Sequence, residues 1–164
     1  MIVRDAVDGD LEAIRRIYND AVAGTTAIWN EVLVDLDDRR RWAEARRVLG
    51  YPVLVAEVDG RVAGYGSFGD FRAFDGYRHT CEHSVYVDAP FRRRGIARAL
   101  VEALVGRATD LGKHAMIAGI EAGNTASIAL HADLGFVEVG RLPEVGRKFD
   151  RWLDLVFMEK ILPA

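Results

Sequence analysis

The basic run Arg92-Arg93-Arg94 leads into Gly95-Ile96-Ala97-Arg98, between an apolar segment, Val85-Tyr86-Val87, and the onset of a helical pattern. A helix N-terminus has unpaired backbone N–H groups and the positive end of the helix dipole, and flanking guanidinium groups add full charges. Such a turn suits a pyrophosphate, and the small side chains at Gly95 and Ala97 let phosphates reach the backbone. A basic helix start with no ligand fits the same residues.

Upstream, Glu82 lies in a segment, Thr80 to Val87, that alternates in the manner of a strand. Alternation places Glu82, Ser84 and Tyr86 on one face and Cys81, His83, Val85 and Val87 on the other. A carboxylate beside a ligand cleft can take a proton as general base, but at an ordinary pKa of about 4.3 it is a weak one. Burial or a relay must then raise its basicity; otherwise Glu82 is a surface or ion-paired strand carboxylate. Downstream, Asn124 to Phe136 contains His131, a group that titrates near neutrality and can give a proton to a leaving group, or else serves as an ordinary helix residue.

Other patterns carry less. Gly64-Tyr65-Gly66-Ser67-Phe68-Gly69 spells a dinucleotide fingerprint, but a polar aromatic loop, not a helix, follows it. Close backbone approach along a strand explains those glycines better. Cys81 lacks an orienting partner for a nucleophile, and His79, Glu82 and His83 do not have metal-ligand spacing. The cluster Asp37-Asp38-Arg39-Arg40-Arg41 reads as a solvated helix face.

Ile2-Val3-Arg4 reads as a first strand, and Asp8 as the N-cap of a helix with Leu11, Ile14, Ile17, Tyr18, Ala21 and Val22 on one face. A second helix is expected over 36–49. Two strands, 52–58 and 62–68, flank Asp59-Gly60, a strong hairpin signal. A loop over 70–78 precedes the Glu82 strand, a third helix runs from Gly95 to Gly112, and His114 to Ile120 is strand-like. A short helix over 124–134 ends at Gly135, and 136–139 and 152–161 read as the last strands. The order is β-α-α-β-β-β-α-β-α-β-β, one α/β (α+β) domain over 1–164, without repeat or linker.

The 164 residues are 50% hydrophobic and 29% charged with a net charge of -3, a globular composition without a nucleic-acid footprint. Cys81 is the one cysteine, so no intrachain disulfide forms. With neither a signal-peptide pattern nor an apolar run of membrane-spanning length, a cytoplasmic setting is expected.

Taken together, Arg92, Gly95 and Ala97, then Asn124 and Gly135-Phe136 one strand later, resemble the acyl-CoA motifs of the GNAT superfamily of N-acetyltransferases. The resemblance extends over essentially the whole chain. Phe71-Arg72-Ala73-Phe74, His79 to Val87 and Val145 to Asp154 look like the phosphinothricin and methionine sulfoximine acetyltransferases within it. It implies a mixed, largely antiparallel sheet flanked by helices, and direct acetyl transfer from acetyl-CoA to a small-molecule amine, without a metal. Val85, Tyr86, Val87, Arg92, Arg93, Arg94, Gly95, Ile96, Ala97, Arg98, Asn124 and Ser127 would then hold acetyl-CoA. Glu82 and His131 would be the base and the acid, and Arg72 and Phe74, with Trp29, would border the amine substrate. His131 stands where many superfamily members have Tyr, though His occurs there in this subgroup. A homodimer is implied as well. The alternatives are action on peptide or protein N-termini or polyamines, and a CoA-binding module without turnover.

Overall fold

The computed structural model describes residues 1–163. Among them, β1 (Ile2–Asp5) leads to α1 (Leu11–Gly24) and α2 (Leu36–Val48), then β2 (Val53–Val58), β3 (Arg61–Asp70) and β4 (Thr80–Val87). There follow α3 (Ile96–Asp110), β5 (Ala115–Glu121), α4 (Thr125–Asp133), β6 (Val137–Lys148) and β7 (Arg151–Ile161). The element order is the expected one. Seven strands form one sheet in the order β1-β2-β3-β4-β5-β7-β6, antiparallel throughout except between β4 and β5.

Each helix buries the stripe its sequence provides. On one face, Leu11, Ile14 and Ile17 of α1 pack with Val55 and Tyr65, and Trp42 and Ala43 of α2 join them. On the other, Ile96, Leu100, Val101, Leu104 and Ala108 of α3 cover Leu54, Ala56, Ala63, Cys81, Met116 and Ala118. The alternation in β4 is as expected, with Cys81 and Val85 on the α3 side and Tyr86 beneath α1. Cys81 is fully buried and its thiol is pushed up to about 11, chiefly by desolvation.

The dinucleotide-like glycines do lie within a strand. A Cβ at Gly64 would stand 2.9 Å from the Tyr86 carbonyl and 3.1 Å from Ile96, and one at Gly66 would stand 2.9 Å from Val85 and 3.0 Å from Leu104. They let α3 lie directly on β3. At the β2–β3 turn both Asp59 and Gly60 adopt positive φ (50° and 72°), as a type I′ hairpin requires.

Two expectations are corrected. Asp8 does not cap α1; Asp8–Asp10 form a 3-10 turn, and the Asp10 carboxylate instead accepts from Arg4 at 2.7 Å and from the Val7 N–H at 2.9 Å. The sixth strand does not end at Val139 but runs on to Lys148. Register shifts at Glu138/Gly140 and Leu142/Gly146 break its alternation, and Pro143 argues locally against a strand.

For the site, the decisive feature is where the parallel pair ends. Its register runs from Thr80↔Ala115 to His83↔Ala118, while β4 continues to Val87 and β5 to Glu121, so the sheet opens between them. Among the described residues, no helix is long and apolar enough to cross a membrane, and no group of three His, Cys, Asp or Glu is placed to hold a metal ion.

The contrast between packed and open glycines is measurable. Gly66→Ala should destabilise the fold by about 1–3 kcal/mol through overpacking under α3. Gly106→Ala, at an exposed α3 position with nothing near its absent Cβ, should stabilise it by about 0.5–1 kcal/mol. Urea denaturation of the two variants checks both signs.

Candidate active site

The opening between β4 and β5 exposes a backbone edge. The Asp88 N–H bonds to Ala63 on the β3 side, whereas the His79 carbonyl faces β5, so alternation turns Val85 and Val87 toward the gap. Beyond the gap, Gly95 takes φ 78° immediately before α3, a left-handed conformation natural to glycine, and Arg93 takes φ 61°. This turn, the edge of β4 and the start of α4 enclose a cleft of about 600 Å³.

Most of the residues expected to hold the donor line that cleft: Val85, Tyr86, Val87, Arg92, Arg93, Gly95, Ile96, Ala97, Arg98, Asn124 and Ser127. Arg94 is not among them; its guanidinium lies over the Phe91 ring, 5.5 Å from the centroid. Arg98 is held at 3.1 Å by Asp133, which leaves Arg92 and Arg93 as the cleft's cations without a carboxylate partner among the described residues. Asn124 caps α4, its side-chain oxygen accepting from the Ser127 N–H at 3.2 Å. Unpaired strand amides, a left-handed glycine, a helix N-terminus and arginines together fit the pantetheine arm and pyrophosphate of an acyl-CoA.

A narrower recess of about 110 Å³ continues inward, lined by His83, Ser84, Tyr86, Gly119, Glu121 and His131 among others. Its floor is a buried histidine pair. His131 Nδ1–H donates to the Ser127 carbonyl at 2.7 Å; a carbonyl only accepts, so this nitrogen carries the proton and Nε2 is bare. His83 Nε2–H therefore donates to His131 Nε2 at 3.1 Å, and His83 Nδ1 is left buried without a partner among the described residues. Burial holds both rings neutral, pushing His83 down to about 3, with the neighbouring His131 adding to the effect, and lowering His131 despite its carbonyl contact. His131 is thus placed at the recess, but its one N–H is committed elsewhere.

On the opposite face of the sheet, Glu82 reaches across to β5. Its carboxylate lies where a Cβ at Gly119 would come within 2.9 Å, so that glycine makes room for it. Desolvation raises the Glu82 pKa, and the positive charge of Arg72 partly offsets this. Arg72 is exposed, stacked over Phe71 at 5.1 Å, and Phe71 in turn meets Phe157 edge-on at 6.1 Å. Phe74, expected beside Arg72, is 78% exposed and borders neither the cleft nor the recess. Trp29 packs against Gly146 of β6, where a Cβ would meet its ring, and so braces the chain after α1.

Four contributors were not singled out in the sequence. Gly119 and Glu121 sit on β5, where an interior glycine was the available signal. Thr26 donates to Glu121 at 3.1 Å, and Lys148 is a buried ammonium far from its partners in the chain. Nothing local in the sequence marks the last two.

Residues 14–136 match the Acetyltransferase (GNAT) family. The chain belongs to the GNAT family. It is 54% identical, over 97% of its length and 93% of the relative's, to an L-methionine sulfoximine/L-methionine sulfone acetyltransferase of Salmonella typhimurium. It is 41% identical to a phosphinothricin N-acetyltransferase of Alcaligenes faecalis, over 99% of this chain and 83% of the relative. The solved structure of yncA from Salmonella typhimurium with its cofactor acetyl-CoA superposes with a TM-score of 0.98 at 53% identity, covering 100% of this chain and 95% of that one. This GNAT chain is an N-acetyltransferase, its fold is the GNAT fold, and acetyl-CoA is its donor.

The GNAT cleft makes a direct demand on Gly95. A side chain there meets no protein atom, so Gly95→Asp should act through left-handed strain and a negative charge at the phosphate site. Calorimetry should show CoA affinity falling by at least about tenfold in a folded variant; a carboxylate about 4 Å from a bound phosphate costs roughly a kcal/mol or more.

Proposed function

We propose that the chain acetylates the α-amine of a small amino acid analogue of the methionine sulfoximine and phosphinothricin type, by direct transfer with Glu82 as general base. The observation that carries this reading is the environment of Glu82, half-buried one residue before the β4–β5 pairing ends, its carboxylate beside Gly119 and within the field of Arg72. The names of the Salmonella and Alcaligenes relatives support the substrate class. An α-amino acid analogue brings an ammonium for Glu82 and an anionic group for the planar fork of Arg72.

An ammonium cannot attack until it loses a proton, and Glu82 takes it, made a stronger base by desolvation. The donor supplies a thioester carbonyl carbon. Backbone N–H groups of Val85 or Val87 face the gap and stabilise the charge that builds on the carbonyl oxygen. The new N–C bond forms as C–S breaks, and the thiolate needs a proton. His131 lines the recess and is our candidate source, acting as a relay; its Nε2 is bare at rest, so once the His83–His131 contact opens Nε2 takes the second proton of the attacking nitrogen and passes it to the thiolate. Arg92, Arg93, Gly95, Asn124 and Ser127 hold the donor.

We further propose one domain acting in the cytoplasm as a homodimer. Phe149 (50%), Trp152 (60%) and Val145 (50%) are exposed on the β6–β7 hairpin, which gives a second copy an apolar surface to cover. Sedimentation should give twice the chain mass, and Trp152→Glu should shift it toward the monomer; a wild-type monomer refutes the dimer.

Glu82→Gln should lower turnover by ~100- to 10,000-fold while acetyl-CoA binding changes little. With wild type, catalytic efficiency should be highest on methionine sulfoximine, methionine sulfone or phosphinothricin, and lower on a polyamine or a short peptide. Arg72→Ala should weaken use of the amino acid analogues. It should also move the acidic limb of the pH profile upward, because Arg72 lowers the Glu82 pKa and its loss leaves desolvation unopposed. Preference for the peptide or polyamine would overturn the substrate assignment, and an unshifted limb would separate Arg72 from Glu82.

A further inference from the structure

Lys148 ends β6, yet its side chain turns inward and is 1% exposed. Its ammonium donates to three backbone carbonyls, Val22 at 2.6 Å, Thr25 at 2.7 Å and Ile28 at 2.5 Å. Val22 lies in the last turn of α1 and Thr25 is its C-cap residue, so a cation from the far end of the sequence closes the negative end of this helix. Burial lowers the Lys148 pKa, but three carbonyls require three N–H donors, which only the charged form has.

A buried charge is a costly means of plain stabilisation, since an apolar side chain of similar size often serves as well. Its location indicates what it does. The segment it holds includes Thr25, Thr26 and Ala27, which line the donor cleft, and Ala27 also borders the inner recess. Two other contacts tie the same segment down: Thr26 donates to Glu121 of β5, and Trp29, packed on Gly146, donates from Nε1 to the Thr26 carbonyl at 2.9 Å. Residues 25–30 thus form a roof over the junction of cleft and recess, anchored to β5 and β6.

We propose that Lys148 is a positioning residue that fixes this roof and thereby sets the KM for acetyl-CoA, without taking part in the chemical step. The proposal rests on the acetyltransferase reading of the cleft. Loss of a charge-assisted anchor should loosen the roof and reduce ground-state and transition-state binding alike.

The test compares wild type, Lys148→Met and Gly146→Ala, the last displacing Trp29 without touching the buried charge. Steady-state kinetics with acetyl-CoA and methionine sulfoximine are read beside hydrogen–deuterium exchange. Both variants should raise the acetyl-CoA KM by about tenfold with kcat within about threefold, the pattern of lost uniform binding. Exchange should accelerate in residues 25–30 and not in α3. Val156→Ala, a core change in β7 whose side chain lines neither cleft nor recess, serves as the control for general destabilisation. A folded Lys148→Met with unchanged KM and exchange overturns the proposal, and so does an equal KM rise in Val156→Ala. If Lys148→Met does not fold, Gly146→Ala decides on the same two readouts. A wild type that releases no CoA with any amine refutes the proposed function instead; exchange in 25–30 then judges Lys148 alone, acceleration supporting the anchor and no change overturning it.

Discussion

Backbone amides and carbonyls removed from water must find partners, and in a sheet the neighbouring strand supplies them. Between β4 and β5 that supply stops after His83↔Ala118. The edge of β4 that follows is left facing a gap, and almost every functional feature is arranged around it. The turn before α3 stands at its mouth, α4 forms one wall, and the segment after α1 roofs it. A ligand with an amide-bearing arm can complete the interrupted ladder, which is why a strand pair that separates makes a better thioester site than a surface groove would.

Burial acts in opposite directions on the two faces of β4. On one, desolvation raises the Glu82 carboxyl and so strengthens it as a base, with Arg72 limiting the rise. On the other, the same effect drives His83 and His131 toward the neutral form and aligns them in one direction, Ser127 carbonyl to His131 to His83. Adjacent residues of a single strand thereby acquire different chemical characters, because a pleated strand sends successive side chains into different surroundings.

Glycines mark where backbone or side chain must come close. Gly64 and Gly66 bring α3 onto the sheet, Gly119 admits the Glu82 carboxylate, and Gly146 receives Trp29. Gly95 differs from these: nothing crowds it, and its left-handed φ is what shapes the turn. One residue type therefore serves two physical purposes within the same site.

Much of this was legible in the sequence. Hydrophobic periodicity and the Asp59-Gly60 turn were enough to order the elements, since these signals are local and the core they specify is continuous. The acyl-CoA turn was legible for the same reason: its glycine, arginines and helix start are contiguous in the chain. The full length of β6 was hidden, because bulges and Pro143 break the period by which a strand is read. Arg94 and Phe74 looked equivalent to their neighbours, and only packing sent one over Phe91 and left the other in solvent. Glu82 could be named as a base from its residue type, but its raised pKa depends on Gly119 and Arg72, which lie on other elements. The hold of Lys148 on Val22, Thr25 and Ile28 spans more than a hundred residues of sequence. Local pattern and contiguous motifs were enough for the order of the elements, the family and the chemistry available. The tertiary structure decided which charges are desolvated and which are paired, because desolvation and pairing depend on neighbours that only folding brings together.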